Sequence, residues 1–247
     1  MTSDSAKDKM LSDPDSFFKY YPVKSFGGPP PFTENAETIK SYRVSRVASM
    51  KDGGKLGHQG ATRPGTTLGF TKKNISSFKL QPNGQQGAGD NSAAFDTCGV
   101  PMVNYNSDIY GAKNLHGNIA AMKYYIAGAG AYFMTTGQLS GCCFTWVAVA
   151  GALYCVHIQP KGLAPNGAEI TGGDLQLAVR TTGHFEGFPR LPLKTFGREN
   201  LAMGHAASII GVKSNGMWKL YAQISADGFN KIYEVWQLHP GAPRQIR

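Results

Sequence analysis

The residues best suited to chemistry in this 247-residue chain lie in one stretch, Thr135-Thr136-Gly137-Gln138-Leu139-Ser140-Gly141-Cys142-Cys143. It sets a thiol behind a small, flexible Ser-Gly pair. Glycine before the thiol lets another backbone come close, and a substrate side chain with an oxyanion pocket needs that room. A thiol must ionise to attack, so it needs a base or a positive field beside it. His157 follows in the same apolar run, Cys142–Ile158. Cys142 is the candidate nucleophile and His157 its candidate base. Backbone N–H groups around Ser140, Gly141 and Cys143 are candidates for shaping the site and binding an oxyanion. The chemistry of such a pair is acyl transfer through a thioester. Taken alone, Cys142 reads as an inert core thiol, because cysteine is among the most buried residue types. Its partner His157 changes that reading only if the two share a face.

The elements that must position them can be read from the same run. CCFTWVAVAGALYCVHI is dense in β-branched and aromatic residues with Ala150-Gly151 near its middle, the pattern of a buried hairpin. An even loop at Ala150-Gly151 sets Val149 opposite Ala152, Trp146 opposite Cys155 and Phe144 opposite His157. Cys142 then lies diagonal to His157 on one face, at roughly 7–8 Å between backbones. Cys155 points the same way and Cys143 points away. An odd loop inverts this parity and sets Cys143 opposite His157.

Beyond the hairpin, TTLGFTKKNISSFKLQP suggests one or two strands, and NIAAMKYYIAGAGAYF (118–133) has Ile119, Met122, Tyr125 and Ile126 at helical spacing. Asp174–Thr182 reads as a strand after the Gly172-Gly173 turn. The C-terminal runs ASIIGVK, MWKLYAQIS and NKIYEVWQL, separated by SNG and ADGF, read as a three-stranded antiparallel meander. The fold class expected is α+β, a largely antiparallel or mixed β-sandwich with flanking helices. Residues 1–65, rich in Pro, Gly and charge, are expected to form a flexible N-terminal segment with a basic linker from Lys40 to Lys51. Residues 66–247 are expected to form the catalytic domain.

Composition bounds the partners. The formal net charge is +9, with 41% hydrophobic and 17% charged residues. A basic balance favours acidic partners without choosing among nucleic acid, membrane surface and protein. Aromatic residues are not interleaved with Lys and Arg in a stacking pattern, so nucleic acid is not the expected partner. No run reaches the roughly 18 apolar residues of a membrane-crossing helix. Four cysteines occur without a CxxC pair, so no zinc site or other metal is expected, and no pattern calls for a cofactor. The opening residues lack the apolar core of a signal peptide, which favours reduced thiols. His58, His116, His184, His205 and His239 lack a partner pattern, and Trp146, Trp218 and Trp236 suit packing.

The Leu139-Ser140-Gly141-Cys142 run, followed by Val156-His157 at a hairpin's end, resembles the catalytic domain of the cytotoxic necrotizing factors and Burkholderia lethal factor. Gly197-Arg198-Glu199-Asn200-Leu201, then small residues, then the strand MWKLYAQ, is similar to the C-terminal part of the lethal factor. The resemblance spans about residues 100–240. It implies a toxin or secreted effector whose cysteine and histidine deamidate a glutamine side chain of a host regulatory protein. It also implies a group orienting the histidine, in the place that Thr136 holds here. The implied substrate class is a Rho-type GTPase or a translation-initiation RNA helicase, met in the host cytoplasm by a monomeric bacterial protein. Two alternatives stand beside this. The same Cys-His pair serves a cysteine protease or a transglutaminase, and the charge alone would suit a basic binding module without chemistry.

Overall fold

Alternation along the central hairpin decides the architecture, because its two faces bury different partners. In the computed structural model of the chain, described for residues 3–21, 23–25, 39–47, 77–82, 92–100, 102–105, 125–127, 132–164, 166–182, 193–226 and 231–246, helices α1 (Ser3–Ser12) and α2 (Pro14–Tyr20) come first. Strands β1 (Val23–Ser25), β2 (Ile39–Val47), β3 (Ser77–Pro82), β4 (Ser92–Val100), β5 (Met102–Asn104), β6 (Tyr125–Ala127) and β7 (Phe133–Thr136) follow. The hairpin is β8 (Cys143–Val149) and β9 (Ala152–Gln159). Helix α3 (Gly172–Thr182), β10 (Lys194–Gly197) and a 3₁₀ turn (Arg198–Asn200) come next. β11 (His205–Ser214), β12 (Met217–Ala226), β13 (Lys231–His239) and β14 (Arg244–Gln245) complete the order.

The strands form two sheets. The larger runs β1-β3-β2-β4-β7-β11-β12-β13-β14, and the smaller runs β10-β8-β9-β5, with β6 also on β9. Both are mixed: β1–β3, β4–β7 and β5–β9 pair parallel, and the other pairs are antiparallel. Phe144, Trp146, Leu153 and Cys155 of the small sheet pack on Met134, Ile209, Leu220 and Leu238 of the large one. The alternate residues Cys143, Val147, Val156 and Ile158 face Leu175, Ala178 and Val179 of α3. The outer face of the large sheet, including Ile210, Val212, Tyr221 and Val235, is covered by Ala6, Met10, Phe17 and Phe18 of α1 and α2. The result is an α+β sandwich with helices on both outer faces, as the sequence pattern indicated.

The hairpin register is the even one. Val149 pairs Ala152, Trp146 pairs Cys155 and Phe144 pairs His157. Its turn residues Ala150 (φ 46°) and Gly151 (φ 78°) both lie in the left-handed region, the requirement of a two-residue turn that matches strand twist. Asn215-Gly216 closes β11 onto β12 in the same way, and β13 completes the expected meander.

Three local expectations differ from the structure. Asp174–Thr182, read as a strand, lies in helix α3. Thr171 and Asp174 form a reciprocal cap: Asp174 Oδ2 accepts from the Thr171 N–H at 2.8 Å, and Thr171 Oγ1 accepts from the Asp174 N–H at 3.2 Å. That cap and the helical spacing of Leu175, Ala178 and Val179 outweigh the β-branched content. Tyr125–Ala127, expected within a helix, is instead β6 and pairs β9; residues 118–124 and 128–131 lie outside the described residues. Within 1–65, expected to be flexible, α1 and α2 place Ala6, Met10, Phe17 and Phe18 at 0% exposure. Gln223 of β12 ties this segment down, accepting from the Val23 N–H at 2.9 Å and donating to the Phe18 and Tyr21 carbonyls at 2.7 and 2.8 Å. Ile39–Val47, within the expected basic linker, lies between β3 and β4. Residues 26–38 and 48–65, which carry most of the Pro and Gly of this segment, lie outside the described residues.

Candidate active site

His157 sits on the face of β9 that meets the large sheet, two residues beyond Cys155. Thr136, the last residue of β7, reaches it from that sheet: Thr136 Oγ1 lies 2.8 Å from His157 Nδ1. The same hydroxyl donates to the Val100 carbonyl at 2.7 Å, because the parallel pairing of β4 and β7 sets Val100 beside Thr136. A hydroxyl has one proton. With that proton on Val100, Thr136 can only accept at Nδ1, so His157 carries its proton there and Nε2 holds a free lone pair. Nε2 is buried and has no hydrogen-bond partner among the described residues. His157 is 0% exposed, and burial holds its pKa at about 3. The ring is therefore a neutral imidazole of defined tautomer with an unengaged basic nitrogen.

Cys142 immediately precedes β8, one residue before Cys143, which pairs Ile158. The ladder stops at Cys143, and Cys142 joins the core cluster that holds Phe144 and Cys155 on the inner face. The thiol is 7% exposed. Burial pushes its pKa up, and a backbone hydrogen bond from Gly141 acts in the opposite direction. Since Nε2 has no partner, thiol and imidazole are not hydrogen-bonded in this resting geometry. Rotation about χ1 moves a cysteine sulfur between staggered positions, and catalytic contacts commonly tighten only when substrate binds. A Cβ built at Gly141 meets nothing within 4 Å among the described residues, and Ser140 is exposed. Cys143 contributes backbone only. Its sulfur faces α3, 2.9 Å from Thr195 Oγ1, with its pKa pushed up to about 12 by burial.

The sequence reading did not find the frame that holds the cysteine backbone. Gly172, the first residue of α3, lies so near the Gly141 carbonyl that a Cβ would stand 2.2 Å from its oxygen. Gly197 crowds the Cys142 carbonyl equally, with a Cβ-to-oxygen distance of 2.4 Å. The Arg198 N–H donates to that carbonyl at 3.2 Å. The run Gly197–Asn200, noted for its resemblance, thus wraps the Cys142 main chain. Two amides hold it. Asn200 Oδ1 accepts from the Gly197 N–H at 3.0 Å and from Gln176 Nε2 at 2.9 Å, while Gln176 Oε1 accepts from the Glu199 N–H at 2.7 Å. On the other side, Leu139 and Ala207 exchange backbone hydrogen bonds at 2.9 and 2.8 Å, pinning the approach to Cys142 onto β11. The available signals were the Thr171-x-x-Asp174 cap and the paired glycines; the partners were too distant in sequence to assign.

Among the described residues no group of three or more His, Cys, Asp or Glu could hold a metal ion, and Cys142, Cys143 and Cys155 are free thiols. No helix among them is long and apolar enough to cross a membrane. His205 opens β11, two residues before Ala207, and His58, His116 and His184 lie outside the described residues. No protein-family model and no curated protein matches the chain.

Proposed function

We propose that this chain is a glutamine deamidase working through a Cys142 thioester, with His157 as base and Thr136 as the group that orients it. The observation carrying this reading is the Val100–Thr136–His157 relay, which commits the Nδ1 proton and leaves Nε2 as an acceptor on the face shared with Cys142. A histidine serving only as packing has no need of a fixed tautomer with a bare nitrogen, since a buried unpaired acceptor costs about 1–3 kcal/mol.

The steps balance on these atoms. Nε2 takes the Cys142 proton as sulfur attacks the glutamine amide carbon. Backbone N–H groups at Ser140–Cys143 receive the developing oxyanion. The C–N bond breaks as the imidazolium returns its proton to the leaving nitrogen, releasing ammonia. Water then attacks the thioester carbon as Nε2 accepts its proton, the C–S bond breaks, and the imidazolium returns that proton to sulfur, giving the free thiol and a glutamate side chain. Burial suits the histidine to the second half of this cycle: an imidazolium with so low a pKa gives its proton up readily.

The resemblance of Leu139–Cys142 and Gly197–Leu201 to the necrotizing factors and lethal factor supports a substrate of the Rho-type GTPase or translation-initiation RNA helicase class. It likewise supports a bacterial effector acting in the host cytoplasm. The test adds wild-type protein and Cys142→Ser to eukaryotic lysate and reads ammonia release and glutamine-to-glutamate mass gain by mass spectrometry. Conversion confined to wild type supports the proposal. Truncated peptides or amine cross-links would reassign the dyad to proteolysis or transglutamination. Identical lysates would leave binding without chemistry.

A further inference from the structure

Gln176 and Asn200 lie outside the reacting atoms, yet the hydrogen bonds around them converge on the nucleophile's main chain. Gln176 is 0% exposed and sits on α3 next to the buried Leu175, Ala178 and Val179. Its amide spends both ends on the 3₁₀ turn, one on Asn200 Oδ1 and one on the Glu199 N–H. Asn200 passes the constraint to the Gly197 N–H. Gly197 in turn has room for no side chain against the Cys142 carbonyl, and Arg198 donates to that carbonyl. Gly172 of the same helix closes on the Gly141 carbonyl beside Arg198 of the turn. Helix, turn and cysteine loop thus form one closed circuit of short contacts.

We infer that the hydrogen-bonded amides of buried Gln176 and exposed Asn200 are a positioning device for Cys142, locking the Gly197–Asn200 turn and the start of α3 onto the Gly141–Cys142 backbone. The inference rests on the reading of Cys142 as the reacting atom. The fully buried Gln176 amide gives that hold its stiffness, because its two ends, out of reach of water, have only the turn to bond to. Stiffness matters at this place: a misplacement of about 1 Å costs on the order of a hundredfold in rate.

The molecule supplies its own control. Gln223 is another buried glutamine with three hydrogen bonds, but it ties down α2 and β1 on the opposite face of the large sheet. The experiment compares Gln176→Met with Gln223→Met in the full chain, well below either unfolding midpoint. It measures site-resolved iodoacetamide labelling of Cys142 and of the core thiol Cys155, together with kcat and KM. Gln176→Met is expected to raise Cys142 labelling about tenfold through local opening, with Cys155 still protected, and to lower kcat at least tenfold at unchanged KM. Gln223→Met is expected to lower the unfolding midpoint and leave Cys142 labelling and kcat as in wild type. Labelling of Cys142 in Gln176→Met that is unchanged, or that rises only in step with Cys155, overturns the positioning role. Absence of any turnover by wild type counts against the deamidase reading instead, and the labelling comparison still decides the positioning.

Discussion

The charge state of the dyad gives the sharpest test, and pH is the perturbation. Burial lowers the His157 pKa to about 3 and raises the Cys142 thiol above its usual 9.0. Both shifts disfavour the charged forms, so the resting site is a neutral thiol beside a neutral imidazole. Alkylation requires thiolate. Labelling of Cys142 by iodoacetamide should accordingly rise about tenfold per pH unit, and about a thousandfold between pH 6 and 9, with no plateau at neutral pH. Peptide mass spectrometry resolves Cys142 from the fully buried Cys143 and Cys155. Fast labelling that stays flat from pH 5 to 8, and falls when His157 is replaced by Gln, would refute the reasoning and establish an ion pair.

Further outcomes follow from the same contacts. Thr136→Val strands both the Val100 carbonyl and the His157 Nδ1–H, at about 1–3 kcal/mol for each buried group left unpaired. Denaturant unfolding should show that loss and turnover should fall at least tenfold, whereas Thr136→Ser should keep most of both. Gly197→Ala puts a methyl 2.4 Å from the Cys142 carbonyl oxygen; thermal melts should show about 1–3 kcal/mol lost to overpacking, with turnover reduced further than stability explains. His157 is neutral when folded down to about pH 3 but titrates near 6.5 when unfolded. The unfolded chain thus binds the extra proton between these values, and stability falls as pH drops below 6.5. The slope from this group is about 1.4 kcal/mol per pH unit. His157→Gln should flatten that part of the stability curve.

What was legible in the sequence was what local geometry dictates. The register of β8 on β9 followed from a two-residue loop at Ala150-Gly151, and with it the opposite facing of Cys143 and Cys155. The meander β11–β13 followed from turn residues between alternating runs. The misread elements lacked such local closure. Asp174–Thr182 carries β-branched residues, and the Thr171–Asp174 cap and the spacing of Leu175, Ala178 and Val179 are what give it away as a helix. The N-terminal helices depend on Phe17, Phe18 and Met10 finding the far side of the large sheet, a contact no neighbouring residue announces. The cysteine frame was invisible for the same reason: Gly172 against Gly141, and Gln176 against Asn200, are brought together by tertiary packing alone.

That division has a consequence for how the site is assembled. Cys142 and His157 belong to the small sheet's hairpin, a local unit, but Thr136 and Val100 belong to adjacent strands of the large sheet. The tautomer of His157 is therefore set across the sandwich, through the layer filled by Phe144, Trp146, Ile209 and Leu220. A hairpin folded without the large sheet would place sulfur and imidazole on one face and still lack the acceptor that directs the Nδ1 proton. The ring would also be wet, since the burial that keeps it neutral comes from the opposing sheet. In the proposed deamidase, catalytic competence would depend on closure of the two sheets as much as on the hairpin carrying Cys142 and His157. The Thr136–His157 hydrogen bond is the point where fold stability and chemistry are coupled: loosening the sandwich frees the imidazole to protonate and to change tautomer, and either change removes the base from Cys142.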